Sequence, residues 1–460
     1  MTRPEPDPAG GGTAPTPATP TPPTTTAPAP IADRDPHVVP RLYVTGDIPA
    51  IGGHLKERPE DFLVDEVPAY DPSGAGEHIY MLVQKRAMST LEMVEVVARH
   101  FGVPRGAIGY AGLKDKAAIT RQVVSVHVPG RSIDDFPMLT HERVSVLWAD
   151  LHANKLRPGH LRGNRFSIRI RGVKATDVRT AKRVLDRLEA VGVPNRVGEQ
   201  RFGMLGNNHL VGRALVAGEY DRAVDELLGP NAEHPALNAE GRTLFAAGRF
   251  ADAAEAYPRA ARTERRVLGT LARGASPERA MRSLDEPILR YYVSAFQSAV
   301  FNAVLDGRVA DGAIGRLTDG DLAFKHENGA VFAVTPDLAA DPSTAARLAA
   351  FEISPSGPLW GAGMLRAAGA TDAAEVAALA AVGTTPEGLR EAALRSRLSL
   401  EGKRRPLRVP VIDPEVEGGL DEHGPYVRCA FELPRGSFAT VVLREIMKPA
   451  AAPPEWEEPE

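Results

Sequence analysis

The feature that most constrains this chain is a change of texture that later reverses. From Val38 to residue 212, short β-branched and apolar runs mix with helical patterns. From 213 to about 410 the chain becomes rich in Ala and Arg at helical spacing. Strand character then returns over Tyr426–Leu433 and Phe438–Leu443. A sheet that ends so far downstream is closed by distant segments, so the helical stretch reads as an insertion. In the first part, His78–Gln84, Val123–Val128 and Arg165–Arg171 read as strands. The last of these alternates, with Phe166, Ile168 and Ile170 on one face. Ser89 and Glu92 are spaced as a capping box, and Leu91, Val94, Val97 and Phe101 follow at helical spacing. Thr176 opens a second helix whose stripe is Val178, Ala181, Leu185 and Leu188. Strands and helices interleave without a parallel βαβ rhythm, which favours an α+β fold with a largely antiparallel sheet.

Inside the insertion, Leu289, Val293, Phe296, Val300 and Val304 form a strong helical stripe. Ala217-Gly218-Glu219-Tyr220 is echoed by Ala247-Gly248-Arg249-Phe250 at an offset of 30 residues, short of the roughly 34 of tetratricopeptide units. Two copies are too few for a repeat array, so a pair of packed helical hairpins is expected. Residues 1–36, with 11 prolines among Thr, Ala and Gly, and the acidic stretch 449–460 carry too little apolar surface to offset ordering entropy. Both are expected to be disordered tails.

Composition narrows the function classes. Hydrophobic residues make up 43% and charged residues 25%, enough for a globular core. Cys429 is the single cysteine, which excludes an intrachain disulfide and a Cys-based zinc site. No run approaches the roughly 18 apolar residues of a membrane span, and the N-terminus has no secretory signal pattern. A cytoplasmic protein is expected. The net charge of −4 excludes a wholly basic nucleic-acid coat but leaves room for a local patch. Residues 151–176 supply one: they contain no Asp or Glu, yet carry Arg165, Arg169 and Arg171 at alternate strand positions. Such cations suit a phosphate-binding face, although a solvated strand face would look the same.

The stretch Gly109–Gln122 holds Lys114-Asp115-Lys116 in a glycine-bearing loop. Two flanking cations favour the ionised form of Asp115, which suits a nucleophile or a base; an exposed charged turn is the plain alternative. The loop lacks the Gly-Lys-Ser/Thr ending of a phosphate loop. Pro194–Gly203 carries Asn195, Gly436–Thr440 carries Phe438, and Pro59–Phe62 ends in Phe62. An Asn reads a base edge and a Phe stacks on a base, although aromatics of this kind are often core. Neither a Gly-x-Ser-x-Gly elbow nor a His-Glu-x-x-His pair is present.

Taken together, Lys56–Phe62, Tyr110–Gln122, Gly198–Gly203 and Gly436–Glu445 resemble the TruD family of tRNA pseudouridine synthases, in the family's order. Leu156–Ile170 and Tyr291–Asn302 are similar as well, so the resemblance covers about 40–448. It implies an α+β fold: a mixed, largely antiparallel pseudouridine synthase sheet interrupted by a mostly helical TruD domain. The implied layout is a catalytic domain over 38–212 and 411–448, with the insertion at 213–410. It also implies isomerisation of a tRNA uridine, typically uridine 13, with no cofactor, no metal, no membrane and no obligate protein partner. By the same resemblance Asp115 is the catalytic aspartate, attacking ribose C1′ or removing the 2′ proton. Arg444, on what looks like a C-terminal strand, is expected to pair with it, or else Lys56 or Lys114. Phe62, Asn195 and Phe438 are expected to line the uridine pocket. The sequence departs from the family at Arg196-Val197, where relatives usually carry two aromatics. The rival reading is a non-catalytic RNA-binding or helical-repeat scaffold, which would not need a carboxylate at Asp115.

Overall fold

Alternating strands dominate the first part of the chain in the computed structural model, which describes residues 1–2, 42–232, 234–395 and 400–448. The expected tails, 1–36 and 449–460, lie outside the described residues apart from Met1 and Thr2. The first six strands are β1 (Phe62–Pro68), β2 (His78–Arg86), β3 (Ile108–Tyr110), β4 (Ile119–His127), β5 (Val144–His152) and β6 (Leu161–Arg171). After a short β7 (Val193–Pro194), the insertion contributes β8 (Leu322–Lys325), β9 (Val331–Ala333), β10 (Ile353–Leu359) and β11 (Lys403–Pro406) as a separate four-stranded sheet. The insertion is therefore not purely helical. β12 (Arg408–Val409) returns to pair with β7, and β13 (Ile412–Asp421) and β14 (Gly424–Pro434) rejoin the main sheet.

That sheet has the order β13-β14-β6-β1-β4-β2-β5, with β3 also paired to β4. β14 runs antiparallel along β6 from Tyr426↔Arg171 to Pro434↔Gly163, so the distant C-terminal strands do complete the sheet. Every pairing in it is antiparallel except β1 with β4.

Three helices cover one face of the sheet. Thr90–Phe101 starts from the capping box: Ser89 accepts the Glu92 amide at 3.2 Å, and Glu92 accepts the Ser89 amide at 2.6 Å. Its inward face is Met93, Val94, Val97, Ala98 and Phe101, packed on Ile79, Met81, Val124 and Val126. Leu91, expected on that face, points to solvent. The Val178–Val191 helix packs Ala181, Val184, Leu185 and Leu188 onto Phe166, Ile168 and Ile170, as their spacing predicts. The third helix corrects the reading of Phe438–Leu443 as a strand, because Ala439–Met447 is helical. Ala439, Val442, Leu443, Ile446 and Met447 are all buried in the same cluster. That is i, i+3, i+4, i+7, i+8 spacing, and it overrides the strand preference of Thr440 and Val441.

In the insertion, the echoed segments are turns of two helical hairpins. Gly218 and Gly248 both take left-handed φ, 76° and 73°, between Asn208–Ala217 and Tyr220–Leu228 and between Ala239–Ala246 and Phe250–Ala256. The hairpins share one core through Leu215, Val224, Ala253 and Tyr257. Position 213 falls inside the first of these helices, so the change of texture does not coincide with an element boundary. The long helix Glu286–Ala310 buries Val293, Phe296 and Val300 as expected.

Candidate functional site

The site originates in the parallel pairing of β1 with β4. Because β1 and β4 run the same way, the segments leading into both lie at the same end of the sheet. Leu63–Asp65 pair with Ile119–Arg121, and β3 takes over the same edge of β4 from Val124 onward. The sheet therefore forks between β1 and β3, and the loop 111–118 enters at the fork. Gly109 allows the tight entry: a Cβ there would lie 2.3 Å from the Leu156 carbonyl oxygen and 2.4 Å from Ser125 Oγ. That glycine serves close approach in a strand.

On the helix-covered face, the fork divides two apolar halves. One packs under the 178–191 and 439–447 helices and the other under 90–101. Polar side chains pave the seam. The Thr90 hydroxyl accepts the Lys114 amide at 2.9 Å, and the Gln122 amide donates to the Gly112 carbonyl at 3.3 Å. Lys85 is fully buried and donates to the carbonyls of Met88 (2.5 Å) and of Asp115 itself (2.7 Å). Burial pulls the Lys85 ammonium down to about 8, against the opposing pull of Asp115. Lys114 is ion-paired with Glu66 at 2.7 Å and donates to Asn164 Oδ1 at 2.6 Å.

With its carbonyl held by Lys85 and its loop held at Gly112 and Lys114, Asp115 presents its carboxylate outward, 38% exposed, to Lys56 Nζ at 2.8 Å. Lys56 adopts left-handed φ of 58°, uncommon for a non-glycine residue, and such strain collects at functional positions. Its ammonium also sits 4.7 Å from the centroid of the Phe62 ring. The arrangement offers an accessible carboxylate, paired with an ammonium, beside a seam of fixed dipoles. Lys56→Met is expected to lower kcat by about 10²-fold with little change in melting temperature, measured by single-turnover kinetics and thermal melts.

The remaining candidates do not all gather here. Arg444, expected to pair with Asp115, instead binds the carboxylate of Glu199, because the helix carries it to the 199–202 turn. Lys56 takes the pairing role, and Lys114 is committed to Glu66. Phe62 is buried under Lys56, not open to a base. Asn195 is consumed internally: its amide donates to the Pro406 carbonyl at 2.9 Å and accepts from Arg405 at 2.5 Å. Phe438 alone of the three presents an open ring, 46% exposed at the start of the last helix.

The three arginines also need correction as a phosphate surface. They lie on the opposite face of the sheet, since Phe166, Ile168 and Ile170 take the helix side. Arg165 pairs with Glu415 at 2.6 Å, and Arg169 lies within 4 Å of both Asp61 (3.8 Å) and Asp421 (3.9 Å), with its guanidinium over Tyr426. Arg171 is 2% exposed and holds Asp61 and Asp421 through four hydrogen bonds of 2.7–3.1 Å. These three arginines face acids of β13 and Asp61.

Sequence reasoning missed Glu66, Lys85, Glu199 and Arg405. Arg405 reaches from the insertion to Asn195 and to the Gly436 carbonyl at 3.4 Å, linking two of the motifs. Among the described residues, no group of three or more His, Cys, Asp or Glu side chains could hold a metal ion, and no helix is long and apolar enough to cross a membrane.

The family model for tRNA pseudouridine synthase D (TruD) matches residues 39–446. The chain belongs to the TruD family. A tRNA pseudouridine synthase D of Geobacter sulfurreducens is 44% identical over 413 residues, covering 88% of this chain and 96% of the relative. One from Syntrophotalea carbinolica is 42% identical over 408 residues, 88% of this chain and 98% of the relative. A crystal structure of a Methanosarcina mazei protein described as TruD superposes with a TM-score of 0.77 at 28% identity, covering 88% of this chain and 96% of that one. In this fold Arg196 and Val197 are both engaged in packing. Arg196 is buried against Asp306 at 2.7 Å. The Val197 backbone is bracketed by the Asn302 amide, at 3.0 and 3.1 Å, and its side chain packs on the Phe301, Leu305, Ile314 and Leu407 cluster. Val197→Phe is expected to overpack that cluster and cost about 1–3 kcal/mol, read as a lower melting temperature with no gain in RNA affinity.

Proposed function

We propose that this chain converts one uridine of tRNA to pseudouridine in the cytoplasm, at position 13 as the family resemblance implies. The observation that carries the reading is the exposed Asp115 carboxylate, ion-paired with Lys56 and backed by a polar seam. In the reaction the C1′–N1 bond breaks, uracil turns, and a C1′–C5 bond forms. C5 then loses its proton and N1 gains one. Substrate and product are isomers, so no oxidant, reductant or group donor enters the balance.

Asp115 either attacks C1′ or accepts the 2′ proton toward a glycal; an ionised carboxylate serves both. Lys56 pairs with that carboxylate and aims it. Phe438, open within the motif Gly436–Glu445, is the ring that stacks on the extruded base. The catalytic body comprises 38–212 and 411–448, and the insertion at 213–410 braces it through Arg405, Asn302 and Asp306. Incubating the purified protein with unmodified tRNA and mapping pseudouridine tests this reading. A single new pseudouridine at position 13 is expected, and its absence under conditions of proven tRNA binding overturns the proposal.

A further inference from the structure

We infer that Glu66 is a positioning residue for Asp115, acting through Lys114; the inference rests on the reading of Asp115 as the catalytic carboxylate. β1 leaves β4 after Asp65↔Arg121, and β3 begins its pairing only at Val124. Val123 N–H therefore has no strand partner at the fork, and a buried amide without an acceptor is costly. Glu66 Oε1 accepts that hydrogen bond at 3.1 Å, replacing the carbonyl that β1 no longer supplies. Its second oxygen is ion-paired with Lys114 Nζ at 2.7 Å, with side-chain exposures of 1% and 4%. Lys114 in turn donates to Asn164, which lies opposite Glu66 on β6.

One carboxylate thus holds the sheet open and plants the residue next to Asp115. At this burial a charged pair is a weak source of net stability compared with apolar packing. What it does supply is a fixed geometry, set from β1, β4 and β6 at once. Lys85, bonded to the Asp115 carbonyl, fixes the loop from the β2 side. Displacing a reacting group by about 1 Å can cost about 10²-fold in rate.

The test is a cycle of Glu66→Gln, Lys114→Met and the double variant, assayed for kcat, KM and melting temperature with tRNA. The amide oxygen introduced by Glu66→Gln can still accept from Val123, but a neutral side chain cannot ion-pair with Lys114. Glu66→Gln is expected to lower kcat about 10²-fold at nearly unchanged KM. The double variant should lose no more than the worse single variant, because both act through one hold. Wild-type kcat in folded Glu66→Gln, or additive losses in the double variant, would overturn the inference. If Glu66→Gln lowers the melting temperature while the folded fraction keeps full kcat, the role is structural and the inference also fails. None of these outcomes touches the assignment of Asp115, which fails separately if Asp115→Asn stays active.

Discussion

Asp115→Asn is expected to abolish pseudouridine formation, lowering kcat by at least about 10⁴-fold. The substitution is nearly isosteric, and the four contacts that hold the loop involve backbone groups or neighbouring residues, so they survive it. What disappears is the anion. An amide neither attacks C1′ nor accepts the 2′ proton. The Lys56 pair is also lost, but both side chains are about one-third exposed, and such pairs contribute less than about 1 kcal/mol. Melting temperature and tRNA affinity should therefore stay close to wild type. Release of tritium from C5-labelled uridine in a single turnover reads the chemistry directly, since C5 must lose its hydrogen. Turnover by the folded, fully bound variant within about 10²-fold of wild type would falsify the catalytic assignment.

The fold was legible in the sequence wherever periodicity was regular. β6 alternates cleanly, the capping box at Ser89 forms, and the C-terminal strands close the interrupted sheet. The last helix was misread because Thr440, Val441 and Val442 prefer strands, although the buried set from Ala439 to Met447 already has helical spacing. Asp115 stood out in the sequence as a candidate because its cationic neighbours mark it. Its supports were hidden for a physical reason: their roles depend on where the sheet forks, which no local pattern encodes. A faint signal existed. Glu66 follows Phe62 and Val64 on the inward parity of β1, and Lys85 follows Ile79, Met81 and Val83 on that of β2. A charge on an apolar parity is a buried charge, and buried charges need named partners. The arginines misled in the opposite sense: alternate cations look like a phosphate face until the acids of β13, more than two hundred residues later, arrive beside them.

Arg171→Gln is expected to cost about 3–5 kcal/mol of stability, the penalty for removing one partner of a buried ion network. Asp61 would be left fully buried with no cation in hydrogen-bonding contact, and a lone buried carboxylate is among the most destabilising groups a fold can hold. The damage should reach the site. Arg171 and His54 exchange backbone hydrogen bonds at 3.0 Å in both directions, and the Arg171 side chain holds the 3₁₀ turn Pro59–Asp61 that leads into Phe62. Lys56 lies between these two anchors. Loosening one of them frees the segment that aims Lys56 at Asp115, so the folded fraction should also show reduced kcat. The phosphate reading predicts something different: little loss of stability, and a salt slope of affinity shallower by about 0.7–0.9 for the lost contact. Thermal melts combined with RNA titration at several salt concentrations separate the two. A fall in melting temperature of about 10 °C with an unchanged slope places Arg171 in the frame that orients the site. A shallower slope with unchanged melting would return it to the RNA.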